Sequence, residues 1–349
     1  MNDEIAFIVP GRLAQLTGGY LFARHIVEGL RARGRSVRVI ELPARDPDAG
    51  SAALAALAED TTTVVDGLAL ANLGQVVAAQ AHRLRLIAFV HGPLAQETGL
   101  LPAAAQRAAL CEAEALSRVR GVICPSPKTA AAVEGYGISP GRIAVVPPGT
   151  ARPRRPPAMR RGAVGALLCV ANLVPRKGHA VLVEALAKIR DLDWSLTCIG
   201  SLERDPATAR SVRSRISATG LGRRIMLTGE RPPQRVAQAY QEADAFVLPS
   251  FHEGYGMVYA EAMVHGLPVI ATTAGAIPDT VPPQAGLLVP PGDSRALARA
   301  LRRVIAEPEF AARLAAGSHA AGAALPDWPQ ASKAWETAFD RLTALAPPP

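Results

Sequence analysis

The sequence predicts an α/β protein of two domains, each built on a parallel sheet. Short apolar runs recur along the 349 residues, and stretches with helical spacing separate them. That alternation is the pattern of βαβ units. A Pro- and Arg-rich segment interrupts it near the middle, and the length suits two domains of ordinary size.

The first apolar run, IAFIV (5–9), suits a strand buried on both faces. A loop with Gly18-Gly19 follows, then a helix from about Tyr20 to Arg33 that Gly34 ends. Phe22, Ile26 and Leu30 recur at helical spacing as its buried stripe, while Tyr20, Arg24 and Arg31 share another face. SVRVI (36–40), TVVDGLAL (63–70), LRLIAFV (84–90), GVICPS (121–126) and RIAVVP (142–147) read as further strands. The second half repeats the alternation with strands at 166–171, 194–200, 224–229, 245–250, 268–272 and 286–290. Helices are expected at 178–190, 204–219, 232–242 and 257–265, with two more closing the chain.

The boundary is PPGTARPRRPPAMRRG, Pro147 to Gly162, whose five prolines stiffen it and whose charges solvate it. The expected division is 1–146, a linker at 147–162, a second domain at 163–325 and a terminal segment at 326–349.

The net charge of +8 suggests nucleic acid until it is located. Residues 1–146 carry 14 Lys+Arg against 13 Asp+Glu, and residues 163–349 carry 19 against 17. The linker alone supplies five of the excess charges (Arg152, Arg154, Arg155, Arg160, Arg161). Neither half is strongly basic and aromatics are only 4%, which argues against a nucleic-acid partner. Five arginines in one segment do make peripheral membrane contact a candidate. No apolar run reaches the roughly 18 residues of a membrane span. The N-terminus lacks the features of a signal peptide, so a cytoplasmic location is expected. Cys111, Cys124, Cys169 and Cys198 are scattered, without a CxxC pair or a His at ligand spacing; three of them sit in apolar, strand-like runs and are expected to be plain buried thiols.

The segment that carries chemistry is PSFHEGYGMVYAEAMVHGLPVIAT, Pro249 to Thr272. It places Glu253 just after a strand and Glu261 in the next helix. In an unbroken helix the two would lie roughly 12 Å apart along the axis, too far to share one metal ion or proton. Between them Gly254-Tyr255-Gly256 and Met257 open a helix, where glycines let backbone N–H groups approach a phosphate. Carboxylates accept hydrogen bonds from sugar hydroxyls, so the segment reads as a clamp for a nucleotide sugar.

SFHEGYGMVYAEAM followed by HGLPVIAT resembles the Glu-x7-Glu motif of the family 4 glycosyltransferases. The resemblance implies the GT-B architecture, two Rossmann-like domains with parallel sheets facing a central cleft. VANLVPRKGHAVLVEAL (170–186) is similar to the segment after the first strand of the family's donor domain. Lys177 stands where the family's Lys contacts the donor diphosphate. The usual Arg falls on Asn172 and the usual Glu on Arg176, so Arg176 is expected to supply the second positive charge from a shifted position. TGGY (17–20) matches the glycine pair that approaches the diphosphate, here Gly18 and Gly19, and VHGPL (90–94) places His91 where the family's His touches the transferred sugar. RIMLTG (224–229) resembles the segment that holds the base, VVPPGT (145–150) the exit from the first domain, and 326–342 the last helix that crosses back to it.

The resemblance implies a hexosyl transfer from a nucleotide-diphosphate sugar with retention of configuration. Glu253 and the backbone of Gly254 to Met257 would hold sugar and diphosphate, Glu261 the ribose, and Lys177 with Arg176 the leaving group. Tyr20, Arg24, His25 and Glu97 are candidate contacts for an acceptor of unidentified class. DLD (191–193) formally matches an Asp-x-Asp metal motif but sits in a turn where Asp is common. No metal and no cofactor are expected. Nucleotide-sugar epimerases and phosphorylases share this architecture and stay open as alternatives, as does a sensor that binds without turnover. A dinucleotide oxidoreductase needs G-x-G-x-x-G in the first loop, and PGRLAQLTGG lacks it.

Overall fold

The computed structural model of the protein describes residues 4–43, 47–96, 99–153 and 164–348. Most of the segment read as a linker lies outside them, and so does Glu97. The chain divides into two compact units, one of Met1–Gly149 with Pro326–Pro349 and the other of Thr150–Leu325.

The N-terminal unit runs β1 (Ile5–Pro10), α1 (Gly18–Ala32), β2 (Val37–Leu42), α2 (Pro47–Ala55), β3 (Thr62–Asp66), α3 (Gly67–Gln80), β4 (Arg85–Phe89), α4 (Pro102–Ser117), β5 (Gly121–Cys124), α5 (Pro127–Glu134) and β6 (Ile143–Val145). Its six strands form one parallel sheet in the order β2-β1-β3-β4-β5-β6. Central strands of such a sheet are covered on both faces, which is why β1 is an unbroken apolar run and β4 is apolar and buried after Arg85. Phe22, Ile26 and Leu30 of α1 are buried as their spacing predicts.

The C-terminal unit runs β7 (Ala166–Val170), α6 (His179–Ala187), β8 (Ser195–Ile199), α7 (Pro206–Ala218), β9 (Ile225–Leu227), α8 (Pro233–Glu242), β10 (Ala245–Val247), α9 (Met257–Val264), β11 (Val269–Thr272), α10 (Ile277–Thr280), β12 (Gly286–Val289), α11 (Ser294–Ala306) and α12 (Pro308–Ala324). Its parallel sheet has the order β12-β11-β10-β7-β8-β9. The order reverses beside β7 and β10, and open α/β sheets bind ligands at such switch points, beyond the strands' carboxyl ends. The loops after these two strands carry the residues singled out above.

The last helix, α13 (Trp328–Thr343), packs in the N-terminal unit against α1, β4 and β5. Trp335 is fully buried, stacked on Phe339 at 5.2 Å and 5.7 Å from the ring of Phe89. Asp327 begins the helix with a capping box closed by Gln330.

Two expectations need correction. TVVDGLAL does not form one strand: β3 stops at Asp66, whose side chain caps α3 by accepting from Leu68 N at 2.9 Å. Apolar residues continue past the boundary because both elements are buried, so apolarity alone cannot mark it. Nor is the start of the linker free. The N-terminal unit extends to Gly149, and Arg152 donates to the carbonyl oxygens of Gly322, Ala323 and Leu325 within the C-terminal unit. Among the described residues, no helix is long and apolar enough to cross a membrane.

Trp335→Ala is expected to cost about 3–5 kcal/mol, the range for emptying a large aromatic site. Differential scanning calorimetry would show the transition of the N-terminal unit lowered and that of the C-terminal unit unmoved. Equal lowering of both would contradict this placement of α13.

Candidate functional site

In the C-terminal unit the chain leaves β7 through Asn172, whose Oδ1 accepts from Ser201 N at 2.9 Å. This ties the loop after β7 to the loop after β8. Pro175–Lys177 then makes one 3-10 turn that Gly178 ends at a φ of 69°. Only glycine fits there, since a Cβ would lie 2.1 Å from the carbonyl oxygen of Pro249. The loop after β7 is also joined through the backbone to the loop after β10, Phe251 N donating to Arg176 O at 2.8 Å.

That close approach brings two cations to one carboxylate. Lys177 Nζ lies 2.5 Å from Glu253 Oε1, and Arg176 Nη1 lies 3.2 Å from Oε2. Arg176 also donates to the carbonyl of His252 at 2.7 Å, and Ser250 Oγ donates to Glu253 Oε1 at 2.6 Å. Inside an α-helix adjacent side chains point about 100° apart. The two converge because residue 176 stands in the turn ahead of α6. Lys and Arg side by side before a helix imply an anion nearby, and in this structure Glu253 is that anion.

The side chain of Glu253 is only 8% exposed. Burial pushes its carboxyl up, but the charges of Lys177 and Arg176, with hydrogen bonds from Lys177 and Ser250, override this and hold it at about 2. The stabilisation this pairing gives is present above the ordinary value of 4.5 and is lost as pH falls toward 2. Lys177 is pulled down, by burial first and by Arg176, against the upward pull of Glu253. The two directions have different winners: burial outweighs the pull of Glu253 on Lys177, whereas two cations together outweigh burial for Glu253. Glu253 is thus occupied by protein donors, whereas the sequence assigns it to the sugar.

Beside this cluster Gly254, Tyr255 and Gly256 lead into α9 at Met257. Gly256 takes the N-cap position in the left-handed conformation, and the helix has neither a side-chain cap nor an acid in its first turn. Such an N-terminus presents N–H groups and the positive end of the helix dipole to an anion. Thr280 Oγ1 donates to the carbonyl of Tyr255 at 2.6 Å and steadies the loop. Further along α9, Glu261 keeps an accessible edge and accepts from Tyr240 Oη at 2.8 Å. Burial pushes its carboxyl up to about 7, against the downward pull of Tyr240.

The N-terminal unit has its own cluster. Gly18 opens α1 after Thr17, again without a side-chain cap or first-turn acid. Gly19 lies against His91, a Cβ there coming 3.1 Å from the imidazole. His91 Nε2 is 2.9 Å from Asp66 Oδ2, and the ring packs beside Phe89 at 4.4 Å. Asp66 is buried and is the residue that the misplaced end of β3 concealed. The signal for it was an acid followed by Gly at a strand's carboxyl end. Glu112, also missed, accepts from Leu94 N at 2.9 Å and braces the loop after His91. Tyr20 directs its hydroxyl to the carbonyl of Pro10, Arg24 stays half-buried on α1, and His25 stacks on Trp328 at 3.9 Å. His25 Nδ1 lies 3.6 Å from Glu28, and its side chain stays 34% exposed.

Asp191 of the DLD turn is exposed and paired with Arg302 at 2.7 Å, as an ordinary surface pair. Three of the cysteines are buried free thiols as expected and Cys111 is exposed, but two of the buried ones are not isolated. In the pairing of β7 with β8, Cys169 stands opposite Cys198, and His179 Nε2 comes within 3.6 Å of Cys169 Sγ. A helix start and two strands bring together what sequence spacing kept apart.

Comparison with known proteins follows the same division. Residues 67–151 match the family described as Glycosyltransferase Family 4, and residues 165–307 match the family described as Glycosyl transferases group 1. The chain belongs to the family 4 glycosyltransferases. It is 33% identical over 197 residues to a D-inositol 3-phosphate glycosyltransferase of Corynebacterium glutamicum, covering 51% of this chain and 47% of that protein. It is 31% identical over 188 residues to a GDP-mannose-dependent monoacylated alpha-(1-6)-phosphatidylinositol monomannoside mannosyltransferase of the same species, covering 51% and 46%. The matches thus span about half the length of these relatives. Among solved structures, sucrose-phosphate synthase from Thermosynechococcus elongatus superposes with a TM-score of 0.84 at 22% identity, covering 98% of this chain and 100% of that one. Anabaena HepE in complex with UDP and glucose gives 0.77 at 18% identity, covering 96% and 99%. At these identities the likeness is one of fold, the GT-B class that the family's sequence pattern implies.

The raised carboxyl of Glu261 makes a pH prediction. With a folded value of about 7 against an ordinary 4.5, it favours the folded state below pH 4.5 and loses that contribution as pH rises through 7. The loss amounts to at most about 3 kcal/mol. Glu261→Gln should therefore flatten the fall in melting temperature between about pH 5 and pH 8. Parallel pH profiles for variant and wild type would contradict the assignment.

Proposed function

We propose that this family 4 glycosyltransferase moves a hexosyl group from a nucleotide-diphosphate sugar to an acceptor hydroxyl, with retention of configuration. The observation that carries the reading is the net positive cluster of Lys177, Arg176 and Glu253 beside the uncapped start of α9. Two cations and a row of backbone N–H groups fit a diphosphate, and they stabilise its charge most when it departs.

In this reading the diphosphate lies on the N–H groups of Gly254 to Met257, with Lys177 and Arg176 beside its oxygens. Glu253 holds both cations in place and can reach a sugar hydroxyl only at the expense of a bond it now makes. Glu261 accepts from the ribose. A double-displacement mechanism needs a free carboxylate nucleophile, and Glu253, saturated by Lys177, Arg176 and Ser250, does not supply one. We therefore assign a displacement on one face of the sugar. The bond from the anomeric carbon to the diphosphate oxygen breaks, and the acceptor oxygen bonds to that carbon on the same side. The acceptor's proton passes to the departing phosphate oxygen. For the N-terminal unit the resemblance implies a diphosphate role for Gly18 and Gly19 and a sugar role for His91, whose ring is held by Asp66.

Lys177→Ala and Arg176→Ala should each lower turnover of a nucleotide-sugar donor by about 10²-fold or more, roughly 2.7 kcal/mol of transition-state stabilisation. Wild-type turnover should need no added magnesium or manganese, since these side chains do the cationic work. A screen of nucleotide sugars, measuring release of the nucleoside diphosphate with and without each ion, tests both points. Wild-type rates in the Arg176 variant would overturn its role, and strict dependence on an added ion would overturn the cationic assignment.

A further inference from the structure

We propose that Cys169, Cys198 and His179 form a buried binding site for a divalent thiophilic cation of the zinc class, at the base of the turn that carries Lys177. All three residues are buried, at 0%, 3% and 3% exposure, and one ligand atom from each lies within 4.8 Å of the others. They come from rigid elements. Cys169 and Cys198 face each other in register on neighbouring strands of one sheet, and His179 is the first residue of α6.

The spacing of the three side chains fits three corners of the tetrahedron that zinc prefers. Zinc–sulfur and zinc–nitrogen bonds of about 2.3 and 2.0–2.1 Å at a tetrahedral angle separate sulfur from nitrogen by about 3.6 Å and two sulfurs by about 3.8 Å. Cys169 Sγ and His179 Nε2 are 3.6 Å apart. The two sulfurs, no more than 4.8 Å apart, need to close by at most about 1 Å. His179 Nδ1 is buried with no hydrogen-bond partner. Two thiolates, a neutral imidazole and a divalent cation sum to zero charge, the state in which a buried cluster avoids a desolvation penalty. Thiolate and imidazole donors select zinc over harder cations.

The site is separate from the binding machinery and lies directly behind it. His179 follows Lys177 by two residues, and Cys169 precedes Asn172 by three on the strand that leads into the same loop. A bound ion would fasten both ends of the Asn172–Gly178 loop to the sheet.

The test uses the full chain, expressed with zinc or cobalt in the medium, purified under reducing conditions and freed of loosely bound ions. Elemental analysis is expected to find about one zinc per chain, and cobalt-grown protein is expected to show thiolate-to-cobalt charge-transfer absorption. Cys198→Ala and His179→Gln should each lower metal content about tenfold, while Cys111→Ser, at an exposed thiol, should leave it unchanged. Metal-free wild type, wild-type content in both site variants, or a Cys169–Cys198 disulfide in reduced preparations would overturn the proposal. The wild-type spectrum decides the matter even if a core variant fails to fold, and none of these readouts depends on glycosyl transfer.

Discussion

Glu253 remains ionised inside the C-terminal unit because Lys177 and Arg176 meet it there. A buried carboxylate without partners would carry a penalty of several kcal/mol and would take up a proton instead. Here two cations and the hydroxyl of Ser250 override the upward pull of burial. Much of the local backbone serves that meeting. Gly178 lets one loop reach the carbonyl of Pro249, the 3-10 turn lets residues 176 and 177 point the same way, and Phe251 fastens the loops together. The cluster brings two cations to the single carboxylate of Glu253. A second anion is thereby favoured at the place where α9 begins without a cap.

The parallel sheets explain why these residues share one edge within each unit. In a βαβ unit every strand ends where the next helix starts, so loop side chains and exposed helix N–H groups gather together. In the C-terminal unit the edge beyond β7 and β10 collects Lys177, Arg176, Glu253 and the start of α9. In the N-terminal unit the edge beyond β1, β3 and β4 collects Gly19, Asp66 and His91. Each unit makes its own cluster by the same rule from unrelated residues.

Much of this was legible in the sequence. Buried parallel strands are short apolar runs, and each expected strand has its counterpart in the structure. The glycines between Glu253 and Glu261 announce a helix start, and α9 does begin at Met257 after Gly256. What stayed hidden were contacts between segments distant in sequence. Asp66 was lost within a run that stays apolar across a strand–helix boundary. Cys169, Cys198 and His179 converge only once β7 pairs with β8 in one register. The occupation of Glu253 by its neighbours could not be foreseen either, because an acid in a ligand loop looks the same whether it binds substrate or holds the residues that do.

The central claim is that the Lys177–Arg176–Glu253 cluster and the start of α9 hold a diphosphate. Calorimetric titration of a nucleoside diphosphate into wild type and Lys177→Ala, at two salt concentrations, tests it most directly. The account predicts at least a tenfold loss of affinity in the variant, about 1.4 kcal/mol. It also predicts a weaker salt dependence there than in wild type, since one charge contact has gone. Equal affinity and equal salt dependence in the two proteins would contradict it.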